Sequence, residues 1–413
     1  MLIGICYLFS NNRKYINWSL VAKGVLLQIV IAFALIKLPL LFEVFEAIAS
    51  VFVIVFKFAN EGTEFLFGKM ATDQETFGFI FAFRILPPII FFSALFSLLY
   101  YLKVLPFIIQ SFAGMLKRTF GVTSAESLAA AANIFLGHTE APLLIRPYLN
   151  SMSGSELHCL VTGGLATISG AVLSAAVGLL GGNDPAMQQY YATHFLTASI
   201  ISAPAAIVAA KILYPETKEI DPNKIAEIQP RKASNAFDAI ANGTFDGMRL
   251  AVNVGAMLLV FISLIEMLNY LLGDIIGEPL GINAFLGEDL SLEYIFGVVF
   301  SPVAWIIGID VDDIFVVGRL LGEKTAINEF YAYISMNELI AEGALTNEKS
   351  ILISSYALCG FANFGSIGIM IGAIAALAPD RKSEIAGMVI RALLAGTIAT
   401  LMTGSVAGML AMW

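Results

Sequence analysis

The chain has 413 residues, 58% of them hydrophobic and only 13% charged, with a mean hydropathy of +0.82 and a formal net charge of −9. A soluble globular chain is about 25% charged, so this composition excludes an ordinary soluble domain and predicts an all-α integral membrane protein. The acidic excess lies mainly in loops and gives no reason to expect nucleic-acid binding, and the cysteines Cys6, Cys159 and Cys359, all in apolar runs, read as small buried hydrophobes.

In chain order, the first apolar run, Met1–Ser10, is too short to cross ~30 Å of hydrocarbon and is followed by Asn11-Asn-Arg-Lys14. A signal peptide carries its charges before the apolar part, so the expectation is a shortened first helix, a start placed late, or a helix end resting at the interface. Long apolar stretches follow at 18–42, 77–102, 155–181, 189–213, 247–273, 350–377 and 384–412, each long enough to span. Shorter or interrupted stretches lie at 44–68, 104–116, 125–150, 283–308 and 314–345. Two of these, 125–150 and 314–345, hold a glycine, a glutamate and other polar residues near the middle, which predicts half-helices folded into re-entrant hairpins.

Basic residues set the orientation. Arg13, Lys14, Lys117, Arg118, Lys218, Lys224, Arg231, Lys232, Arg381 and Lys382 fall in alternate loops, and the loops between are poor in Lys and Arg. The pattern predicts about eight spans with both termini outside. The two hairpins would then enter from opposite faces, as an inverted repeat requires. The linker 214–246, with Pro215, Pro222 and Pro230 among mixed charges, is expected to join the halves without contributing chemistry.

Two carboxylates carry most of the functional signal, because an ionisable group at bilayer depth is expensive. Glu140 lies in Asn133-Ile-Phe-Leu-Gly-His-Thr-Glu-Ala-Pro142, and Glu329 in Leu321-Gly-Glu-Lys-Thr-Ala-Ile-Asn-Glu-Phe330. Each is followed by a helix rich in small and polar residues, Gly163–Gly170 and Cys359–Ser366. Two copies of one polar arrangement read as a repeat-built transporter with a midplane site. The structural alternative for Glu140 is an ion pair with Arg146 or Lys324. Asn363 and Ser366 share a helix face at i, i+3 spacing, and Phe361 sits beside them in a segment expected to unwind. Thr167 and Ser169 either supply oxygens to a small cation or bond back to helix carbonyls. Glu338 and Glu342 read as a solvated face. No phosphate-binding loop is present, so direct drive by ATP has no support.

At these residues the chain resembles the concentrative nucleoside transporter family, through Gly137-His-Thr-Glu-Ala-Pro-Leu-Leu144 with Arg146-Pro-Tyr148, Thr325-Ala-Ile-Asn-Glu-Phe330 and Cys359-Gly-Phe-Ala-Asn363. The resemblance runs along essentially the whole chain. It implies a homotrimer in the bacterial inner membrane, importing uridine, cytidine or adenosine-class nucleosides by elevator-type alternating access. Implied divisions are scaffold helices in 1–118, a first transport part in 119–213 with a hairpin at 122–150, the cytoplasmic linker 214–246, a scaffold helix in 247–282, and an interfacial helix with the second transport part in 283–413, its hairpin at 310–345. The nucleobase would meet His138, Thr139 and Glu140 with Val172 lining the pocket, and the ribose would meet Glu329, Asn363 and Ser366 beside Phe361. A co-transported sodium ion would take the side chains of Asn133 and Thr167 and the carbonyls of Leu136 and Ile168. His138 stands where the family usually has Gln, which leaves base preference open and keeps a proton as the alternative coupling ion. Rival readings are an intramembrane hydrolase using Glu140 and His138, for which no nucleophile or metal set is evident, and a receptor or channel.

Overall fold

The computed structural model describes residues 1–218 and 233–411, and every regular element among them is helical. A short helix α1 (Leu2–Leu8) precedes α2 (Trp18–Lys37), whose start is capped by the Asn17 side chain accepting from the Leu20 N–H at 3.1 Å. Leu38 is extended because it precedes proline, and Pro39 then opens α3 (Pro39–Phe67) at a helix-initiating position. The stretch read as interrupted at 44–68 is thus one 29-residue helix. Its Glu43, Glu46, Lys57, Glu61 and Glu64 broke the apolar run in the sequence without breaking the helix. Helices α4 (Leu86–Tyr101) and α5 (Val104–Phe120) follow.

Then comes the first broken pair. Helix α6 (Ser124–Asn133) stops at Asn133, and the chain is non-helical to Glu140, after which comes the single turn α7 (Ala141–Leu144) with Pro142 as its second residue. Helix α8 (Gly154–Ala166) opens on a capping box in which Ser153 and Glu156 satisfy each other's backbone N–H. It ends at an extended Thr167, and α9 (Gly170–Gly181) restarts after Ile168 and Ser169, capped by Ser169. Helix α10 (Pro185–Leu213) closes the first half.

The second half opens on α11 (Ala236–Tyr270) and repeats this order of elements. After α12 (Leu292–Ile307), α13 (Ile314–Ala326) and α14 (Glu329–Ala341) form a pair broken at Ile327 and Asn328. Helices α15 (Glu348–Leu358) and α16 (Phe364–Leu377) form a broken helix interrupted over Cys359–Asn363, and α17 (Lys382–Ala411) runs unbroken. Among the described residues seven helical stretches are long and apolar enough to cross a membrane, and α12 and α16 are shorter apolar helices. The all-helical membrane fold with its duplicated, interrupted helices agrees with the expectation from sequence.

The broken helix α8–α9 and α10 form the centre: their apolar windows are buried along 100% and 94% of their length. Small residues allow the close approach, as is general where lipid supplies no hydrophobic drive. A Cβ on Gly396 of α17 would fall 2.8 Å from Leu165 Cβ, and one on Gly404 would fall 2.9 Å from the Ile353 carbonyl. Helix α11 is largely uncovered and packs on α4 through Gly243 and Gly247, where a Cβ would meet Ala94 Cα at 2.7 Å and Ile90 Cα at 2.8 Å. Its start departs from the sequence reading. The helix begins at Ala236, inside the expected linker, because Asn235 caps it and its Asp238, Asn242 and Asp246 interrupt only the hydropathy. Pro222, Lys224, Pro230, Arg231 and Lys232 of that linker lie outside the described residues.

A buried polar cluster ties α6, α8 and α10. Lys211 Nζ pairs with Glu126 at 2.7 Å and donates to Ser155 Oγ at 3.1 Å, and the Thr123 hydroxyl donates to the Glu156 carboxylate.

Candidate substrate site

The interruptions in the helices all face one cavity of about 370 Å³. Its walls include His138, Thr139 and Glu140 from the α6–α7 break, Ser169, Gly170 and Val172 from the start of α9, Asn328 and Glu329 from the start of α14, and Phe361, Asn363 and Ser366 from the α15–α16 break. Every residue expected to contact substrate therefore lines the same space, although they come from segments up to 228 positions apart in the chain (366 − 138).

Local sequence explains the geometry. The N-termini of α9, α14 and α16 border the cavity, and helix N-termini present unsatisfied N–H groups and partial positive charge. Ser169, Asn328 and Asn363 cap them, accepting from the backbone N–H of Val172, Tyr331 and Ser366 at 3.3, 3.0 and 2.8 Å. Asn363 and Ser366 thus meet through a cap and not as neighbours on one helix face. The second half of the Asn363 amide, Nδ2, donates to Glu329 Oε2 at 3.1 Å. Both residues are only 3% exposed, so the hydrogen-bonding capacity that the α16 cap does not use is directed into the cavity or to each other.

His138, also in the cavity wall, is buried, and neither ring nitrogen has a protein hydrogen-bond partner. Its imidazole sits edge-on to Phe361, with ring centroids 4.5 Å apart. The hairpin backbone approaches this closely because residue 164 is glycine: a Cβ there would lie 2.8 Å from His138 Cβ. Thr139 is exposed and Glu140 half-buried at the open side. Lys324, a possible partner for Glu140 in the sequence, instead donates to the Ala357 carbonyl and to Thr400.

Behind this wall Asn133 is buried, with Nδ2 donating to the Leu160 carbonyl at 3.4 Å and Oδ1 without a partner. Thr167 bonds back to the Gly163 carbonyl at 2.9 Å, as expected for a hydroxyl near a helix end, and its oxygen lone pairs stay available. Leu136 and Ile168 are buried in the two non-helical stretches. An orphaned amide oxygen beside unwound backbone fits a small cation that takes oxygen ligands. Glu338 and Glu342 are exposed, away from the cavity.

The sequence reading did not single out Asp246, Arg249 and Asn253, which α11 contributes to the cavity beside Leu250, Val254 and Met257. Their spacing of three, four and seven places them on one helix stripe. Asp246 joins that stripe because the helix starts before residue 247, whereas Arg249 and Asn253 lay inside the expected span.

Comparison with known proteins decides the family. Family models described as Na+ dependent nucleoside transporter C-terminus and N-terminus match residues 194–408 and 1–70, and one described as nucleoside recognition (Gate) matches 82–183. The chain belongs to the concentrative nucleoside transporter family. Nucleoside permease NupC of Helicobacter pylori is 38% identical over 99% of this chain and 95% of its own length. Mouse solute carrier family 28 member 3 is 36% identical over 99% of this chain and 58% of its own. CNTnw in an inward-facing substrate-bound state superposes with a TM-score of 0.90 at 36% identity, covering 99% of this chain and 96% of that one. A substituted CNTnw in an outward-facing state gives 0.89. This family member is a transporter and not an enzyme, and a multi-pass protein of the plasma membrane.

Proposed function

We propose that the protein is a cation-coupled nucleoside symporter in which one cavity binds the whole solute. The observation that carries this reading is that two unlike sets of groups line one cavity. One holds His138 with both ring nitrogens unpartnered next to Phe361, and the other holds the Glu329–Asn363 pair at the mouths of two helices. A nucleoside is neutral, polar and part aromatic. Its base finds an apolar face and imidazole, threonine and carboxylate edges at His138, Thr139, Glu140, Val172 and Phe361. Its ribose hydroxyls donate to Glu329 and accept from Asn363 and the Ser366 end of α16. Such a match matters because each buried polar group left unpaired costs about 1–3 kcal/mol.

Sodium is the coupling ion in this reading, held by Asn133 Oδ1, Thr167 Oγ1 and the carbonyls of Leu136 and Ile168. The unpartnered Asn133 oxygen supports it. A neutral solute gains nothing from membrane potential, whereas a co-moving cation gains about 2.3 kcal/mol per 100 mV. The ion would order the α6–α7 break that carries His138, so each ligand favours the other. Residues 119–213 and 283–413 would move as an elevator against 1–118 and 247–282. A homotrimer would form on the scaffold, where α11 leaves Val252, Leu259, Val260 and Met267 exposed for lipid or a neighbouring protomer. His138 in the cavity keeps a proton as the second reading for the coupled cation.

The test is uptake of labelled uridine and adenosine into proteoliposomes under an imposed sodium gradient or an imposed proton gradient. Accumulation driven by sodium alone supports the ion assignment. Accumulation driven by protons alone moves coupling to His138 and the glutamates. No uptake under either gradient overturns the substrate assignment.

A further inference from the structure

Lys324 is 2% exposed in the middle of the protein, and its described partners are uncharged oxygens: the Ala357 carbonyl at 2.8 Å and Thr400 Oγ1 at 3.0 Å. No ion pair to it occurs among the described residues. Its position is specific. Lys324 lies in the last turn of α13, just before the break that delivers Glu329, and Ala357 lies in the last turn of α15, just before the break that delivers Asn363. The ammonium therefore clamps together the two helix ends from which the Glu329–Asn363 pair is hung. The last-turn carbonyls of α15 carry the negative end of that helix dipole, which favours a cation there.

The first half has the same pair of elements with a different group between them. Asn133 ends α6 and faces α8, as Lys324 near the end of α13 faces α15, but it offers an unpartnered oxygen where Lys324 offers a positive charge. We propose that Lys324 is a tethered cation: its ammonium permanently fills, in the second half of the chain, the kind of place that a diffusible cation fills in the first, and so positions Glu329 and Asn363 for substrate. The comparison with the first half rests on the cation reading above, whereas the clamp itself rests only on the contacts of Lys324. Lys324 is a positioning residue, since it does not line the cavity.

The experiment uses the purified full-length protein, the variants Lys324→Met and Lys324→Ala, and propylammonium chloride, which replaces the atoms that alanine lacks. Equilibrium uridine and adenosine binding and thermal stability are both read. Lys324→Met, similar in length and uncharged, is expected to weaken nucleoside binding at least tenfold. Lys324→Ala is expected to regain binding and thermal stability with millimolar propylammonium and not with propanol, while the unsubstituted protein responds to neither. Binding by Lys324→Met within twofold of the unsubstituted protein overturns the proposal. So does a Lys324→Ala protein whose stability propylammonium does not raise, and that arm decides the matter if Lys324→Met fails to fold. If the unsubstituted protein binds neither nucleoside, the substrate reading falls, and the stability arm still tests the clamp.

Discussion

Asn363 holds Glu329 and a helix end with one amide: Nδ2 donates to Glu329 Oε2 at 3.1 Å while Oδ1 accepts from the Ser366 N–H at 2.8 Å. Substitutions can separate these roles. Asn363→Ser keeps a capping oxygen and loses the donor to Glu329. Asn363→Ala loses both, and a lost cap costs about 0.5–2 kcal/mol. Uridine binding is therefore expected to fall in both variants, whereas thermal stability falls clearly only in the alanine form. Equal loss of stability in the two would show that the cap does not matter.

Glu329→Gln replaces an acceptor-only carboxylate with an amide that faces the Asn363 donor in at least one rotamer. Hydrogen bonds to a charged group contribute about 1.5–3 kcal/mol, so uridine affinity is expected to drop roughly 10- to 100-fold with unchanged elution on gel filtration. Calorimetric titration checks it. An affinity near that of the unsubstituted protein would remove Glu329 from the ribose.

His138→Gln keeps one donor and one acceptor but moves both. The expected result is a changed ranking among uridine, cytidine and adenosine in competition uptake, with expression unaltered. An unmoved ranking would mean that the imidazole does not contact the base.

Asn133→Leu removes the unpartnered oxygen and leaves the helix end. Under the sodium reading, the concentration of sodium giving half-maximal uptake is expected to rise roughly tenfold or more, with a smaller effect on nucleoside binding in saturating sodium. A sodium dependence identical to that of the unsubstituted protein would disqualify Asn133 as a ligand.

Gly247→Leu tests the packing of α11 on α4. A Cβ there would lie 2.7 Å from Ser93 Cβ and 2.8 Å from Ile90 Cα, and overpacking of this kind costs about 1–3 kcal/mol. The melting temperature in detergent is expected to fall by several degrees, and an unchanged value would show that the helices can part without penalty.

The membrane class and the duplicated, interrupted helices were legible because glutamate, asparagine and glycine inside apolar runs leave few alternatives in lipid. The cavity residues His138, Thr139, Glu140, Val172, Glu329, Phe361, Asn363 and Ser366 were legible through family resemblance, and the structure brings them to one space. Two things were not. Asp246 escaped because hydropathy placed the start of α11 eleven residues late, at 247 and not at Ala236 (247 − 236), and Arg249 and Asn253 escaped inside the expected span 247–273 because they were averaged into an apolar run. The helical register that aligns them is invisible to a window average. The capping role of Asn363 escaped because i, i+3 spacing looks the same whether the first residue lies in the helix or at its end.

The caps at Ser169, Asn328 and Asn363 divide the cavity into parts that can change and parts that cannot. A new side chain at those positions must still terminate a helix, so mutation there is filtered through folding before it is ever tested on solute. His138, Thr139 and Val172 hold no helix end in this way. Divergence in preferred solute among relatives should therefore accumulate on the imidazole side of the cavity, while the Glu329 side drifts slowly even where selection for a particular nucleoside is relaxed.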